Sequence, residues 1–200
     1  MTWVVAGIVF ASLAISIGCM LLSIVRPDLR TWPPPKSTPW PRPLLAIVGP
    51  LFPIGVFGQL LLGVLDWNTF VLDHWGRFVA GGLLFAWGGF WALWGFRTLG
   101  VQVSQGQEGD LIDTGAYRYC RNPQYIGSIA GFTGYALICN SSLTLIASGL
   151  AAVAFTLMPF AEEPWLLERL GAAYDDYCAR VPRFIPAVGD LCHAAERPVR

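Results

Sequence analysis

Residues 3–25, WVVAGIVFASLAISIGCMLLSIV, contain no charged side chain. At 1.5 Å per residue such a run, once helical, crosses a hydrocarbon core of about 30 Å. Inside lipid, only a helix or a closed barrel satisfies its own backbone hydrogen bonds. Further apolar runs follow at 44–65, 78–96, 125–139 and 143–158. Together they predict an all-α, integral membrane bundle of about five transmembrane helices. The composition agrees, with 54% hydrophobic and 13% charged residues and a mean hydropathy of +0.53. The first run begins at Trp3 without a basic stretch before it, so it is expected to be a retained span and not a cleaved signal.

The spans carry their own packing signals. Gly81, Gly88 and Gly95 stand seven apart, which places them on one helical face for close approach to another helix. Gly127 and Gly131 form a second small-residue pair in the fourth run. Pro50 and Pro53 predict a kink in the second. The last two runs, separated only by Asn-Ser-Ser at 140–142, read as a helical hairpin. Beyond Glu163 the pattern becomes amphipathic: Leu167, Leu170, Tyr174, Tyr177 and Val181 recur at three- and four-residue spacing among charged residues, predicting a C-terminal helix against the membrane surface or over the bundle. The organisation expected is an N-terminal part, 1–75, of transmembrane helices and a proline-rich linker at 26–43, and a core at 76–200. The linker is read as a stiff interfacial spacer.

Lys and Arg set the orientation. Four lie in 26–43, three in 97–124 and five after the last span, against only Arg77 in 66–77 and none at the hairpin tip. The N-terminus is therefore expected outside, with 97–124 and the C-terminal helix facing the cytoplasm. Thirteen basic and thirteen acidic residues cancel, which gives a nucleic-acid partner no support. Five cysteines without a CxxC pair and two histidines, His74 and His193, offer no metal site and are expected to include free thiols. His74 falls on the far face and His193 in the tail, so neither is expected to be a catalyst.

The polar residues gather at one place. GAYRYCRNPQYIG, 115–127, sits at the mouth of the fourth run, and the hairpin returns Glu162 and Glu163 to the same depth. A carboxylate near lipid is costly unless paired or wet. Glu163 has an alternative explanation as a helix-start residue before Pro164, and Arg118 and Arg121 have one as topology charges. The helix-start explanation accounts for Glu162 less readily.

These residues resemble a known family. FRTLG at 96–100, GAYRYCRNPQYIG, the Glu162–Glu163 pair and the closing Gly171, Tyr174, Tyr177 and VPRFIP (181–186) are together similar to the membrane methyltransferases that include isoprenylcysteine carboxyl methyltransferases and bacterial phospholipid N-methyltransferases. The likeness covers about 96–186. It implies binding of S-adenosylmethionine between the hairpin's cytoplasmic end and the C-terminal segment, with the acceptor arriving from the bilayer. By position it implies that Tyr117, Arg121, Asn122, Tyr125, Glu162 and Glu163 bind the cofactor, with Arg121 and Glu162 closest to the chemistry. The family commonly has histidine where this chain has Asn122, and proline where it has Ala116. Asparagine cannot become cationic, which bears on how the cofactor is held or which acceptor is used.

Charge balance supports this independently. S-adenosylmethionine carries a sulfonium, an ammonium and a carboxylate, and Arg121 with Glu162 or Glu163 offers the complementary set. Tyr125, Trp165 and Tyr174 are equivalent candidates for an adenine wall. Methyl transfer is an in-line displacement that alignment can drive, and Glu162 is the local base should the acceptor be an amine. The expected partners are a lipophilic small molecule, lipid or prenylated acceptor and membrane lipids. Two other functions compete: an NADPH-dependent membrane reductase, whose polyanionic cofactor the balanced charge of 97–124 disfavours, and a non-enzymatic assembly or lipid-binding protein, to which Asn122 is the pointer.

Overall fold

A computed structural model describes residues 1–33, 39–104, 106–107 and 109–184. Among them the order is α1 (Thr2–Val25), α2 (Arg42–Val48), α3 (Leu51–Leu65), α4 (Gly76–Leu99), the short α5 (Val101–Ser104), α6 (Pro123–Cys139), α7 (Ser142–Leu170) and α8 (Ala172–Arg180), with single 3₁₀ turns at Pro27–Leu29 and Gly115–Arg118. The described residues form no strand. The protein is an all-helical membrane bundle. His193 and Cys192 lie outside the described residues, as do Pro186 of the closing motif and part of the linker.

Among the described residues four helical stretches are long and apolar enough to cross a membrane: 2–25, 42–65, 76–99 and 142–170. The expected fifth, α6, has 17 residues, about 26 Å of helix, at the lower end of the length that crosses a bilayer. It is packed inside the bundle, with α4 along one side and α7 on another. The kink expected from Pro50 and Pro53 is a break at Gly49–Pro50, between α2 and α3.

Small residues decide the α4–α6 contact. Gly81, Gly88 and Gly95 are the buried residues of α4, and all three face α6. A Cβ on Gly88 would sit 2.3 Å from the Gly131 nitrogen, and one on Gly127 2.3 Å from the Ala92 nitrogen. Backbones this close leave no room for a side chain. On the other side α1 and α3 pack on α7 around Val9, Leu13, Val56, Leu62, Ala147 and Phe155. Gln59, wholly buried there, is reconciled with its surroundings by Ser148, whose hydroxyl donates to Gln59 Oε1 at 2.9 Å. The outward faces carry large apolar side chains such as Ile8, Phe57, Leu83 and Phe90, which suit a lipid solvent.

The hairpin tip is locked. Asn140, at φ 49°, donates through Nδ2 to Asn68 Oδ1 and the Phe70 carbonyl, both at 2.8 Å. Ser141 caps α7, accepting from the Thr144 N–H at 3.0 Å, and donates to Asp66 Oδ2 at 2.6 Å. The 66–70 connection thus fixes the tip, and the opposite ends of α6 and α7 come together at a defined depth.

The C-terminal expectation needs one correction. No new helix starts at Glu163: α7 runs unbroken to Leu170, with Pro159 and Pro164 inside it. The break comes at Gly171, whose φ of 58° is open to glycine and costly for other residues. The helix-start explanation for Glu163 therefore falls away. Beyond the break α8 turns back and buries Tyr174, Tyr177 and Val181 against Leu111, Leu166 and Leu170, whereas Leu167 is exposed.

Candidate functional site

The end of the bundle opposite the hairpin tip holds a cleft of about 860 Å³, its open mouth included. Its walls come from the start of α6, the last turns of α7, α8, the 3₁₀ turn and the connection after α4. All six residues expected to bind a cofactor, Tyr117, Arg121, Asn122, Tyr125, Glu162 and Glu163, line it, and so do Trp165 and Tyr174. The structure therefore brings together side chains that are as much as 57 positions apart in the chain, Tyr117 and Tyr174.

Two pieces of chain are stitched together to form the floor. The Arg121 N–H donates to the Pro182 carbonyl at 3.0 Å, and Asn122 Nδ2 donates to the Arg183 carbonyl at 2.9 Å. Cys120, whose thiol burial pushes up to about 11, stays protonated and donates to the same Arg183 carbonyl. Tyr177 donates to the Tyr117 carbonyl at 2.8 Å. Burial raises the phenols of Tyr117, Tyr174 and Tyr177 well above the ordinary range, so each is a neutral group at physiological pH.

The two glutamates differ. Glu163 is spent inside the protein: Arg183 grips it side-on through Nε at 2.9 Å and Nη2 at 2.6 Å, and Arg121 Nη1 stands 3.2 Å away. That hydrogen bond to Glu163 is the first reason the Arg183 guanidinium is held above its usual pKa. Arg183 also lies over the Phe160 ring, 4.3 Å from its centroid. Glu162 accepts from Trp32 Nε1 at 2.6 Å and from the Tyr125 hydroxyl, both on Oε1. Its Oε2 makes no hydrogen bond among the described residues.

Arg121 shows a matching asymmetry. Its ion pair with Glu163 and its hydrogen bond to Cys178 both run through Nη1. The buried Nε has no partner among the described residues. An orphaned N–H on a guanidinium that lines a cleft is an open position for an anion. The site thus keeps one acidic oxygen and one guanidinium edge unengaged, among tyrosine and tryptophan side chains. This donor set fits a zwitterion with an aromatic part.

Several residues that line the cleft or bond its glutamates were assigned no role from the sequence. Arg183 lies within the quoted VPRFIP yet is the partner that neutralises Glu163. Gln124 lies within GAYRYCRNPQYIG and donates to Ser104 Oγ at 2.9 Å and to the Tyr117 hydroxyl at 3.0 Å. Trp32 and Pro33 belong to the linker expected to be a spacer, and they reach the site: Trp32 bonds Glu162 and Pro33 lines the cleft. Only their place in a proline-rich segment marked them, and that gives no hint of a partner 130 residues away. Among the described residues no group of three or more His, Cys, Asp or Glu could hold a metal ion.

Residues 76–173 match the family model described as phospholipid methyltransferase. The nickel-cobalt-cadmium resistance protein NccN of Alcaligenes xylosoxydans xylosoxydans is 37% identical over 89 residues, which cover 43% of this chain and 40% of that protein. The chain thus spans two fifths of the length of this curated relative. No solved structure matches.

Proposed function

Because residues 76–173 match the phospholipid methyltransferase family model, we propose that the chain transfers a methyl group from S-adenosylmethionine to a lipophilic acceptor at the cytoplasmic edge of the membrane. The observation that carries this reading is the pair of unengaged groups in one cleft, the Arg121 Nε edge and Glu162 Oε2. Arg121 would hold the cofactor's carboxylate side-on, the geometry in which Arg183 already holds Glu163. Glu162 would take its ammonium, while Tyr125, Trp165 and Tyr174 enclose the adenine. Tyr117 and Asn122 shape the floor, and Glu163 keeps Arg121 in place. Asn122, tied to the Arg183 carbonyl, joins the motif to the C-terminal segment without adding charge.

When bound, S-adenosylmethionine supplies an electrophilic methyl carbon, whose bond to sulfur breaks, leaving its electrons on sulfur, as the acceptor's lone pair forms the new bond. The protein's part is to align the two molecules and exclude water, which the covering α8 and the apolar bundle serve. An amine acceptor reacts only after losing its extra proton, so with Glu162 engaged by the ammonium it would enter the cleft already neutral.

The relative's printed name ties that protein to metal resistance. We infer for this chain only the methyl transfer that its family segment and cleft support. Calorimetric titration of the purified protein with S-adenosylmethionine or its demethylated product, beside reduced nicotinamide dinucleotide phosphate, tests the reading. Saturable binding of the first alone is expected. Binding of the dinucleotide, or of neither, overturns it.

A further inference from the structure

The first part of the linker is fastened to the bundle. At the end of α1, Ser23 Oγ accepts from the backbone N–H of Thr31 at 3.1 Å and from that of Trp32 at 3.4 Å. The same hydroxyl donates to the Cys19 carbonyl at 2.8 Å. One buried serine thus turns the chain and sets where residue 32 points. The Trp32 ring packs on the main apolar core, and its indole N–H reaches Glu162 Oε1 at 2.6 Å. Arg30 adds a second tether, its guanidinium 5.8 Å from the centroid of the Trp165 ring in the cleft wall. All of these linker residues lie outside the segment 76–173 that matches the family model.

Two donors meet Glu162 Oε1, and they differ in kind. The Tyr125 hydroxyl rotates about its C–O bond and can also accept. The indole N–H is fixed in the plane of its ring and only donates. The last torsion of a glutamate is soft, so a carboxylate held by a rotating hydroxyl alone keeps a wide range of orientations. Trp32 removes that freedom. It fixes the carboxylate plane with one oxygen engaged and the other left to the cleft.

We infer that Trp32 is a positioning residue of the cleft, its indole N–H holding Glu162 so that Oε2 meets the ammonium of the methyl donor. The first span and its linker, with Ser23 as the pivot, thereby complete the site from outside the family segment. The inference rests on the methyl-transfer reading, since it names what Oε2 is held for. A carboxylate oriented before the ligand arrives loses less freedom on binding, which is how a residue that never touches the ligand raises its affinity.

The test compares two ligands by calorimetry on the full-length protein in lipid nanodiscs: S-adenosylhomocysteine, the demethylated product, and its analogue that lacks the amino group and keeps the carboxylate. Trp32→Phe leaves an aromatic ring in the core and removes the N–H. It should weaken S-adenosylhomocysteine by roughly tenfold, the scale of one hydrogen bond to a charged group. The analogue's affinity should stay within about twofold, the ordinary limit for a site that is not coupled. Ser23→Ala, which loosens residues 31 and 32 and keeps the tryptophan, should give a smaller loss with the same preference for the ligand that carries the ammonium. In a Glu162→Gln background Trp32→Phe should add nothing further, because the carboxylate it orients is gone. Equal losses for both ligands, a loss that adds to that of Glu162→Gln, or unchanged affinity in Trp32→Phe makes Trp32 a packing residue and overturns the inference. A parent protein that binds neither ligand removes the methyl-transfer reading itself, and this inference with it.

Discussion

Glu162 receives both of its hydrogen bonds on one oxygen, and this determines what a substitution there should do. In Glu162→Gln the amide oxygen can still accept from Trp32 and Tyr125, so the fold should persist. The second position becomes a donor and should lose an ammonium. A hydrogen bond to a charged group is worth about 1.5–3 kcal/mol, so affinity for S-adenosylmethionine should fall about tenfold to a hundredfold, read by calorimetry. Arg121→Lys should weaken binding by roughly tenfold, because a point charge cannot reproduce a side-on pair. Unaltered affinity in both variants would remove the assignment. Glu163→Ala should act on folding instead. It strands Arg121, whose side chain is 11% exposed, and Arg183, and opening a buried pair costs on the order of 3 kcal/mol, to be seen in thermal unfolding of the detergent-solubilised protein. The convergence of Arg121 and Glu162 was legible because the hairpin pattern returns both to one depth. The division of labour between the two glutamates was not, since it depends on Arg183 and Trp32, whose approach is set by chain folding far from either motif.

At the scale of the helix, α4 reads differently on its two sides. Gly88→Ala should be destabilising by about 1–3 kcal/mol or more, because its methyl would lie 2.3 Å from the Gly131 nitrogen and backbone cannot yield as a side-chain tip does. Gly89→Ala, one residue along, should leave the unfolding midpoint close to the parent's, since its methyl meets nothing. Equal midpoints for the two variants would contradict the α4–α6 packing. The seven-residue glycine spacing announced this face, because helical periodicity is a local property that sequence carries directly. The length of α7 was harder to read. Pro164 after a carboxylate resembles a helix start, yet the bundle tolerates both prolines within one helix, and the only break falls at Gly171. Nothing local tells a tolerated proline from a terminating one when tertiary packing makes the difference.

Across the whole molecule, the proposed chemistry and the topology depend on each other. The cleft, the linker and the C-terminal helix share one end of the bundle, whereas the 66–70 connection and the hairpin tip share the other. The excess of Lys and Arg lies with the cleft, and positively charged connections stay on the cytoplasmic side. We propose that the cleft opens on that side, within reach of the proposed methyl donor. A membrane-impermeant maleimide should therefore label Val71→Cys, at a position 83% exposed in the connection before α4, in intact cells. Asp176→Cys, on the exposed side of α8, should be labelled only after permeabilisation, with labelling of the parent chain's own thiols subtracted in both cases. The reverse pattern would put the cleft outside. It would leave the family match at residues 76–173 and the fold standing while overturning the proposed orientation, so orientation can fail separately from binding.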